Sequence, residues 1–410
     1  MDVGVTVVTD PGTAVAALLF VFGGVALGTV SGLVPGLHAN NFALLLAAAV
    51  PVVPGPPRFV GAAMLAAGVV HTFLDVVPAL ALGVPDAAMA ATAIPGHRLV
   101  IQGRGREALR LSALGSGLAI ALAVPLALPV TAVMSRVYPA LEPHLSLVLA
   151  AIAVLLVVGE RSWRSRLGAA LAVGASGLLG LATLDLETGG LAAGGTLAPL
   201  FAGLFGAPVL VEALGGDGVP PQADAAVTVG KRALAGTALV GTLSGAIVGY
   251  VSGVSSGVAA TGALAVLPGR GPRAYVVVTS GVNTANTVFA LFALVALRDA
   301  HTGVLVALDG AGVPLNLPLL LAGCGLAAAV GFLLVPFAGD RYLAAANRVD
   351  QTYISVGVLG LLCLLVAALA GPVGVAVFAV SAAVGLVPAR FGARRVSLMG
   401  VLLVPLAVGP

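Results

Sequence analysis

Polar residues of this 410-residue chain cluster where glycines interrupt two of its long apolar stretches. The interruptions are residues 32–36 and residues 253–257. A broken helix leaves free backbone N–H groups at the start of the next helix, and these groups favour anions. Amide and hydroxyl side chains beside them can donate to a carboxylate or help to coordinate a cation. The predicted substrate-binding side chains at the two breaks are His38, Asn40, Asn41, Ser255, Ser256 and Thr261.

A second polar cluster lies within the next apolar stretch of the first half. His71 and Asp75 are four residues apart, so a helix would place them on one face. They could pair with each other, relay a proton or help to bind a cation. Ionisable residues at the centre of a membrane helix cost about 2.5–3.5 kcal/mol and are functional by default. We predict an ion-coupling role for both, with a satisfied polar pair in a packed interface as the alternative.

A third cluster occupies one apolar stretch of the second half and consists of Asn283, Thr284, Asn286 and Thr287. Two amides within one span are costly in lipid. We therefore predict that Asn283 and Asn286 bind substrate and that Thr284 and Thr287 take part in ion coupling. A structural alternative stays open for this cluster and for the serines of the second break, because small polar residues also hold membrane helices together. For Asn40 and Asn41 the alternative is helix capping, which asparagine often provides.

The composition determines which elements must position these residues. Hydrophobic residues make up 60% of the chain, charged residues 9%, and the mean hydropathy is +1.13. A soluble domain carries about 25% charged residues, so this chain could not cover a water-facing surface. Its apolar runs, such as Leu147–Val158, do not alternate with polar residues as barrel strands do, so the spans must be helices.

The length allows roughly 10–12 spans of about 20 residues each. We predict an all-α polytopic protein of a prokaryotic plasma membrane. Arginines crowd residues 98–110 and residues 161–166, and the positive-inside rule predicts that both loops are cytoplasmic.

The two breaks indicate an internal duplication. Each is followed by an apolar segment, 39–53 or 257–267, that is too short for a hydrocarbon core of about 30 Å. The breaks start 221 residues apart, which predicts repeats over 1–230 and 231–410. Lys231 and Arg232 precede the first span of the second half, whereas no basic residue precedes that of the first. This difference predicts inverted repeats, and paired broken segments are typical of secondary-transporter binding sites.

The sequence gives no support to two familiar motifs, the nucleophile elbow of hydrolases and the Walker A motif of ATPases. Residues 253–257 fit the G-x-S-x-G pattern, which requires a strand-to-helix turn on an α/β sheet. No Walker A sequence is present, so ATP is not expected to drive the chain. We predict no enzyme activity, no cofactor and no metal, with a sodium ion or proton as the coupling ion. One alternative is an intramembrane hydrolase, which would use Ser255 with His71 or Asp75 with Asp86. The other is a passive anion channel.

Two runs also resemble a known family. Residues 32–37, Gly-Leu-Val-Pro-Gly-Leu, resemble the first signature of the TctA family, the large membrane subunit of tripartite tricarboxylate transporters. Residues 84–109 resemble its second signature, with a proline, an alanine-rich stretch and a Gly-Arg loop. The resemblance implies a permease for organic anions such as di- and tricarboxylates, driven by an ion gradient. It also implies a small membrane subunit and an extracytoplasmic binding protein as partners.

The resemblance further implies which segments line the substrate path. These segments are 35–41 and 85–92, and they add Pro35, Gly36, Pro85, Asp86 and Thr92 to the substrate-binding candidates. The chain departs from the family at His38, where glycine is usual, and at Asp86, which replaces a glycine–threonine pair. An acid beside an anion site requires a bound cation or a proton, so the particular substrate stays open.

Overall fold

Every regular element that the structure describes is helical. The computed structural model describes residues 10–35, 37, 39–50, 53–83, 93–190, 195–216, 218–224, 226–267, 271–300 and 302–409. At residues 40, 41, 44, 48, 93 and 94 it describes the backbone alone. Within these residues there is no strand, which confirms the predicted all-α class.

The first half contains ten α-helices, α1 to α10, in its described part. They are α1 (Pro11–Leu33), α2 (Ala39–Ala49), α3 (Pro57–Leu74), α4 (Val76–Leu82), α5 (Ala93–Ile101), α6 (Gly105–Leu141), α7 (Leu145–Val158), α8 (Trp163–Thr183), α9 (Leu197–Phe201) and α10 (Ala207–Glu212). A 3₁₀ turn, Glu142–His144, joins α6 to α7. A π-helical turn, Ala202–Gly206, joins α9 to α10.

The described part of the second half contains eight α-helices. They are α11 (Lys231–Tyr250), α12 (Ser256–Val266), α13 (Pro272–Leu297), α14 (Gly303–Gly310), α15 (Leu317–Ala346), α16 (Gln351–Gly385), α17 (Val387–Phe391) and α18 (Gly400–Val408). A 3₁₀ helix, Arg395–Met399, precedes α18.

Eight stretches of the described residues are long and apolar enough to cross a membrane. Three of them combine two helices. Pro57–Leu82 combines α3 and α4, Gly105–Val158 includes the 3₁₀ turn after α6, and Gln351–Phe391 includes Gly371, which has a positive φ and precedes Pro372. These eight stretches are fewer than the roughly 10–12 spans expected from the length, because some apolar segments, such as α12, form helices that are too short to cross.

The two short segments are indeed half-length helices. Helices α2 and α12 have eleven residues each, which at 1.5 Å per residue is about 16 Å, or half of the hydrocarbon thickness. Gly253 makes the turn into α12 with a φ of +83°, a conformation that favours glycine. The Ser255 side chain then caps α12 by accepting a hydrogen bond from the Val258 N–H at 3.3 Å.

Close glycine contacts bring the long helices together in both halves. Three glycines at four-residue spacing on α1 face α3, and three on α11 face α13: Gly24, Gly28, Gly32, Gly241, Gly245 and Gly249. A β-carbon on Gly28 would lie 2.3 Å from the Ala67 carbonyl oxygen. Such small-xxx-small stripes let membrane helices approach backbone to backbone.

The helices of the two halves interlock around a buried centre. Helix α3 packs against α15, and α13 packs against α6. Helix α18 packs against α7 and α8, while α9 and the π-helical turn pack against α16. The most deeply buried spans are Pro57–Leu82 and Pro272–Leu297, which carry the predicted polar residues of α3 and α13 into the interior.

The glycine contact at Gly28 predicts a selective stability loss. Gly28→Ala forces α1 away from α3 and should cost about 1–3 kcal/mol, as overpacking does. Gly23→Ala is the matched control, because a β-carbon there meets no atom within 4 Å; it should be neutral or stabilising by up to about 1 kcal/mol. Thermal unfolding in detergent measures the melting temperature of each variant. Equal melting temperatures for Gly28→Ala and Gly23→Ala would contradict the close contact at Gly28.

Candidate functional site

A cavity of about 160 Å³ lies between the buried spans of the two halves. Helix α3 contributes Gly68 and Thr72, and α13 contributes three polar residues. The three are Asn283, Asn286 and Thr287, each at least nine-tenths buried. Polar groups of both halves therefore face one interior space.

Three helices begin at this cavity. Ala39 is the first residue of α2, Ser255 and Ser256 begin α12, and Thr302 and Gly303 begin α14. The first N–H groups of a helix have no partner within the helix and carry the positive end of its dipole. Three such ends around one space favour a negatively charged group there.

The amides of α13 are held by hydrogen bonds to other elements. Asn286 donates from Nδ2 to the Ser256 hydroxyl at 2.8 Å, which ties α13 to the start of α12. Asn283 donates from Nδ2 to Asp75 Oδ2 at 2.7 Å. Asp75 is 7% exposed and stands between α3 and α4, so this bond joins the two halves beside the cavity.

His71 is oriented towards the first two helices. Its Nδ1 lies 3.0 Å from the Ser31 hydroxyl on α1, and its ring stacks on Phe42 of α2 with centroids 5.6 Å apart. The side chain is fully buried. His71 therefore positions α2 relative to α1 and α3.

Hydroxyl groups connect α3, α13 and α6. Thr72 donates to Thr284 Oγ1 at 3.3 Å, and Thr284 donates to Ser116 Oγ at 2.8 Å. One turn away, the hydroxyls of Ser112 and Ser280 are 2.8 Å apart. Sequence reasoning missed Ser112, Ser116 and Ser280. The signal was the i, i+4 spacing of Ser112 and Ser116 on α6, which is typical of a polar contact between helices.

The structure places the remaining predicted residues as follows. Pro35 is buried just beyond the end of α1. Thr261 lies farther along α12, where its hydroxyl donates to the Gly257 carbonyl at 2.8 Å; it is not part of the cavity lining. Gly36, His38, Pro85, Asp86 and Thr92 lie outside the described residues, as do the side chains of Asn40 and Asn41.

Two features of the described residues bear on metal binding and on the G-x-S-x-G run. They contain no group of three histidine, cysteine or acidic side chains that could hold a metal ion. The G-x-S-x-G run, residues 253–257, lies between two helices rather than after a strand, and Ser255 serves as a helix cap.

Eight apolar stretches that are long enough to cross a membrane, with buried polar residues between them, define a multi-pass membrane protein. The chain belongs to the tripartite tricarboxylate transporter TctA family, whose model matches residues 18–400. The match extends the resemblance seen at the two signatures to nearly the whole chain, and the family is one of transporters.

One relative of similar length also matches. An uncharacterized protein of Methanocaldococcus jannaschii is 22% identical over 339 residues, which is 83% of this chain and 84% of that protein. No solved structure matches the chain.

The hydrogen bond between Asp75 and Asn283 predicts energetic coupling across the halves. In a double-mutant cycle, Asp75→Ala and Asn283→Ala should show an interaction of about 1.5–3 kcal/mol, as expected for a hydrogen bond to a charged group. The free energy of unfolding is measured in mixed detergent for the wild type, the two single variants and the double variant. Strictly additive effects would show that the two side chains do not interact.

Proposed function

We propose that this protein is a secondary carrier for a small organic anion of the carboxylate class. The observation that carries the proposal is the meeting of three helix amino termini, of α2, α12 and α14, at one interior cavity. Half-helix amino termini that point at an anionic group are a recurrent device of carriers with discontinuous helices. The family adds tricarboxylates as the type of substrate to test first.

Neutral donors complement the helix ends. The amides of Asn283 and Asn286 and the hydroxyls of Ser255 and Thr287 line the cavity. No lysine or arginine does so among the described residues. Neutral donors bind a carboxylate less tightly than a guanidinium, because charge-assisted hydrogen bonds are about twice as strong. Weaker binding suits a carrier, which must release its substrate.

Alternating access about two inverted halves is the transport mechanism that we propose. In each half, the first and third helices run in the same direction. On α1, Gly24 faces Ala63 and Gly28 faces Ala67 of α3. On α11, Gly241 faces Val278 and Gly249 faces Phe289 of α13, in the same ascending order. The first three helices of each half thus form equivalent units, each with a half-length helix in the middle.

Contacts near the ends of the spans support opposite orientations for these two units. Arg273, at the start of α13, donates from Nε and Nη2 to Glu107, at the start of α6, at 2.8 and 3.0 Å. Leu343, near the end of α15, lies against Gly105. Along α3, Gly331 of α15 lies against Phe73. Helix α3 therefore approaches its end where α13 approaches its beginning, as the repeats 1–230 and 231–410 require.

We place the coupling ion beside the cavity, at Asp75. The carboxylate of Asp75 accepts a hydrogen bond from Asn283, and the hydroxyls of Thr72 and Thr284 form a second buried polar contact between α3 and α13. Oxygen ligands of this kind suit a sodium ion, and a buried carboxyl also suits a proton. Thr287 lines the cavity beside them, so ion and substrate would occupy neighbouring positions.

The family also suggests the setting in which the carrier works. Tripartite transporters combine three components, and we propose that a small membrane subunit and an extracytoplasmic binding protein serve this chain. We place it in a prokaryotic plasma membrane, with the arginine-rich ends at residues 98–110 and 161–166 in the cytoplasm.

Uptake into proteoliposomes tests the proposal. With an imposed sodium or proton gradient, the wild-type protein should accumulate a labelled carboxylate such as citrate or succinate above its equilibrium level, with saturation. Asn286→Ala removes a cavity donor and should reduce the initial rate at least about tenfold, since about 1.4 kcal/mol of lost binding is tenfold.

The matched control for this substitution is Asn316→Ala. Asn316 does not line the cavity. It caps α15, and its Oδ1 accepts a hydrogen bond from the Leu319 N–H at 3.1 Å. The Asn316→Ala variant should lose about as much stability as Asn286→Ala and keep the wild-type rate of transport. Gradient-independent equilibration, or flux without saturation, would contradict a coupled carrier and favour a channel.

A further inference from the structure

Among the lysines and arginines that the structure describes, Arg395 is the most deeply buried. Arg395 is 6% exposed, and it is the only lysine or arginine in the described part of the chain that is buried to this degree. It begins the 3₁₀ helix Arg395–Met399, which lies directly before α18. A guanidinium cannot lose its charge in a protein, so its burial requires a partner of opposite charge.

The ion pair that Arg395 forms within the protein satisfies only one nitrogen of its guanidinium. Arg395 donates from Nη2 to the carboxylate of Glu212 at the end of α10. Its Nε and Nη1 are shielded from solvent and make no hydrogen bond in the structure. The hydroxyl of Ser397, two residues on, is also fully buried and has no partner. Buried polar groups without partners are destabilising, and each one calls for an explanation such as a missing ion.

Two other arginines of the protein, Arg394 and Arg273, form ion pairs in which the hydrogen bonds are more complete. Arg394 is 43% exposed and donates from Nε, and from its backbone N–H, to Glu160. Arg273 gives two donors to the fully buried Glu107. Arg395 instead gives one nitrogen to Glu212, which is 39% exposed. The pair with Glu212 therefore does not account for the burial of Arg395.

The 3₁₀ helix of Arg395 leads to the cavity. Met399, its last residue, lines the cavity together with Leu402. At about 2 Å per residue, a 3₁₀ helix places Arg395 about 8 Å from Met399. The helix packs against α7, α8, α12 and the π-helical turn. Its other end is beside Arg394 and Glu160, next to the arginine-rich residues 161–166.

We propose that Arg395, with Ser397, forms a second anion site between the cavity and the arginine-rich face. It binds the carboxylate of the substrate when the carrier opens to that face, before release. The inference rests on the proposed transport function. The helix ends at the cavity offer partial charges. Arg395 adds two unused N–H donors of a charged group, so an anion that leaves the cavity towards this face meets further charge-assisted donors there.

The distinguishing property of such a site is sidedness. A substrate that enters from the arginine-rich face meets Arg395 first, and one that enters from the other face meets it last. Loss of Arg395 should therefore weaken apparent affinity from one face only. A purely structural ion pair would instead affect both faces equally, through the amount of folded protein.

Saturable uptake of labelled citrate into right-side-out and inside-out membrane vesicles tests the proposal. Arg395→Gln should raise the half-saturation concentration from the arginine-rich face about tenfold and change it less than about twofold from the other face, where tenfold corresponds to about 1.4 kcal/mol. Ser397→Ala, a smaller change if Arg395→Gln does not fold, should act on the same face with a smaller effect.

Two matched variants separate the anion site from the ion pairs. Glu212→Gln breaks the same ion pair but leaves the guanidinium, so it should not raise the half-saturation concentration from the arginine-rich face. Arg394→Gln breaks the neighbouring pair with Glu160 and should leave both faces unchanged. Equal effects of Arg395→Gln and Glu212→Gln, or an Arg395→Gln effect that is the same from both faces, would overturn the second site.

The proposed transport function and the second site fail in different ways. If the wild-type protein does not transport, the carrier proposal is wrong, and anion binding is then judged by stability alone. Citrate should raise the melting temperature of the purified wild-type protein more than that of the Arg395→Gln protein, because a ligand stabilises the state that binds it. The same citrate-dependent shift in both proteins would remove Arg395 from any anion site.

Discussion

A helix that stops inside a membrane must hide its ends from lipid, and the rest of this structure depends on that requirement. Backbone N–H and C=O groups have no water to bond in the hydrocarbon region, so irregular backbone survives there only within protein or at a polar cavity. The turn at Gly253 and the start of α2 are such places. The interior must therefore surround them, and the spans that do so, α3 and α13, are the most deeply buried.

The glycine stripes show how the chain meets this requirement. Because α1 and α11 approach α3 and α13 closely, α2 and α12 can return through the protein rather than through lipid. The third long helix of each half, α6 or α15, packs against the second long helix of the other half, α13 or α3. Polar contacts such as Asn283 with Asp75 then join the halves at the cavity. Helix ends that are sheltered from lipid in this way are also the groups best suited to bind an anion.

Much of this architecture could be predicted from the sequence. Composition alone required apolar helices, and the shortness of segments 39–53 and 257–267 revealed the half-length helices α2 and α12. Asn283 and Asn286 were found as cavity candidates because amides are costly in a span, and both line the cavity. These features depend on local sequence, which hydrophobic patterns report directly.

The remaining features depend on which elements meet. The pairing of Asp75 with Asn283 joins residues 208 positions apart, and no local pattern carries that information. The sequence shows Ser112 and Ser116 only as two small polar residues in an apolar helix. Their hydrogen bonds to Ser280 and Thr284 depend on the packing of α13 against α6. Helix α14 is too short to stand out in the sequence, yet Thr302 and Gly303 bring a third amino terminus to the cavity. Glu212 and the buried Arg395 are 183 positions apart, and only the fold brings them together as an ion pair.

The central claim is that one cavity, at the starts of α2, α12 and α14, is reached alternately from both faces of the membrane. Thiol accessibility at Ser255→Cys tests it most directly, after replacement of Cys324 and Cys363, the two native cysteines. A membrane-impermeant reagent should modify the new thiol from either face, and citrate should slow the reaction from both. Reaction from one face only, whatever the substrate or ion gradient, would contradict the account.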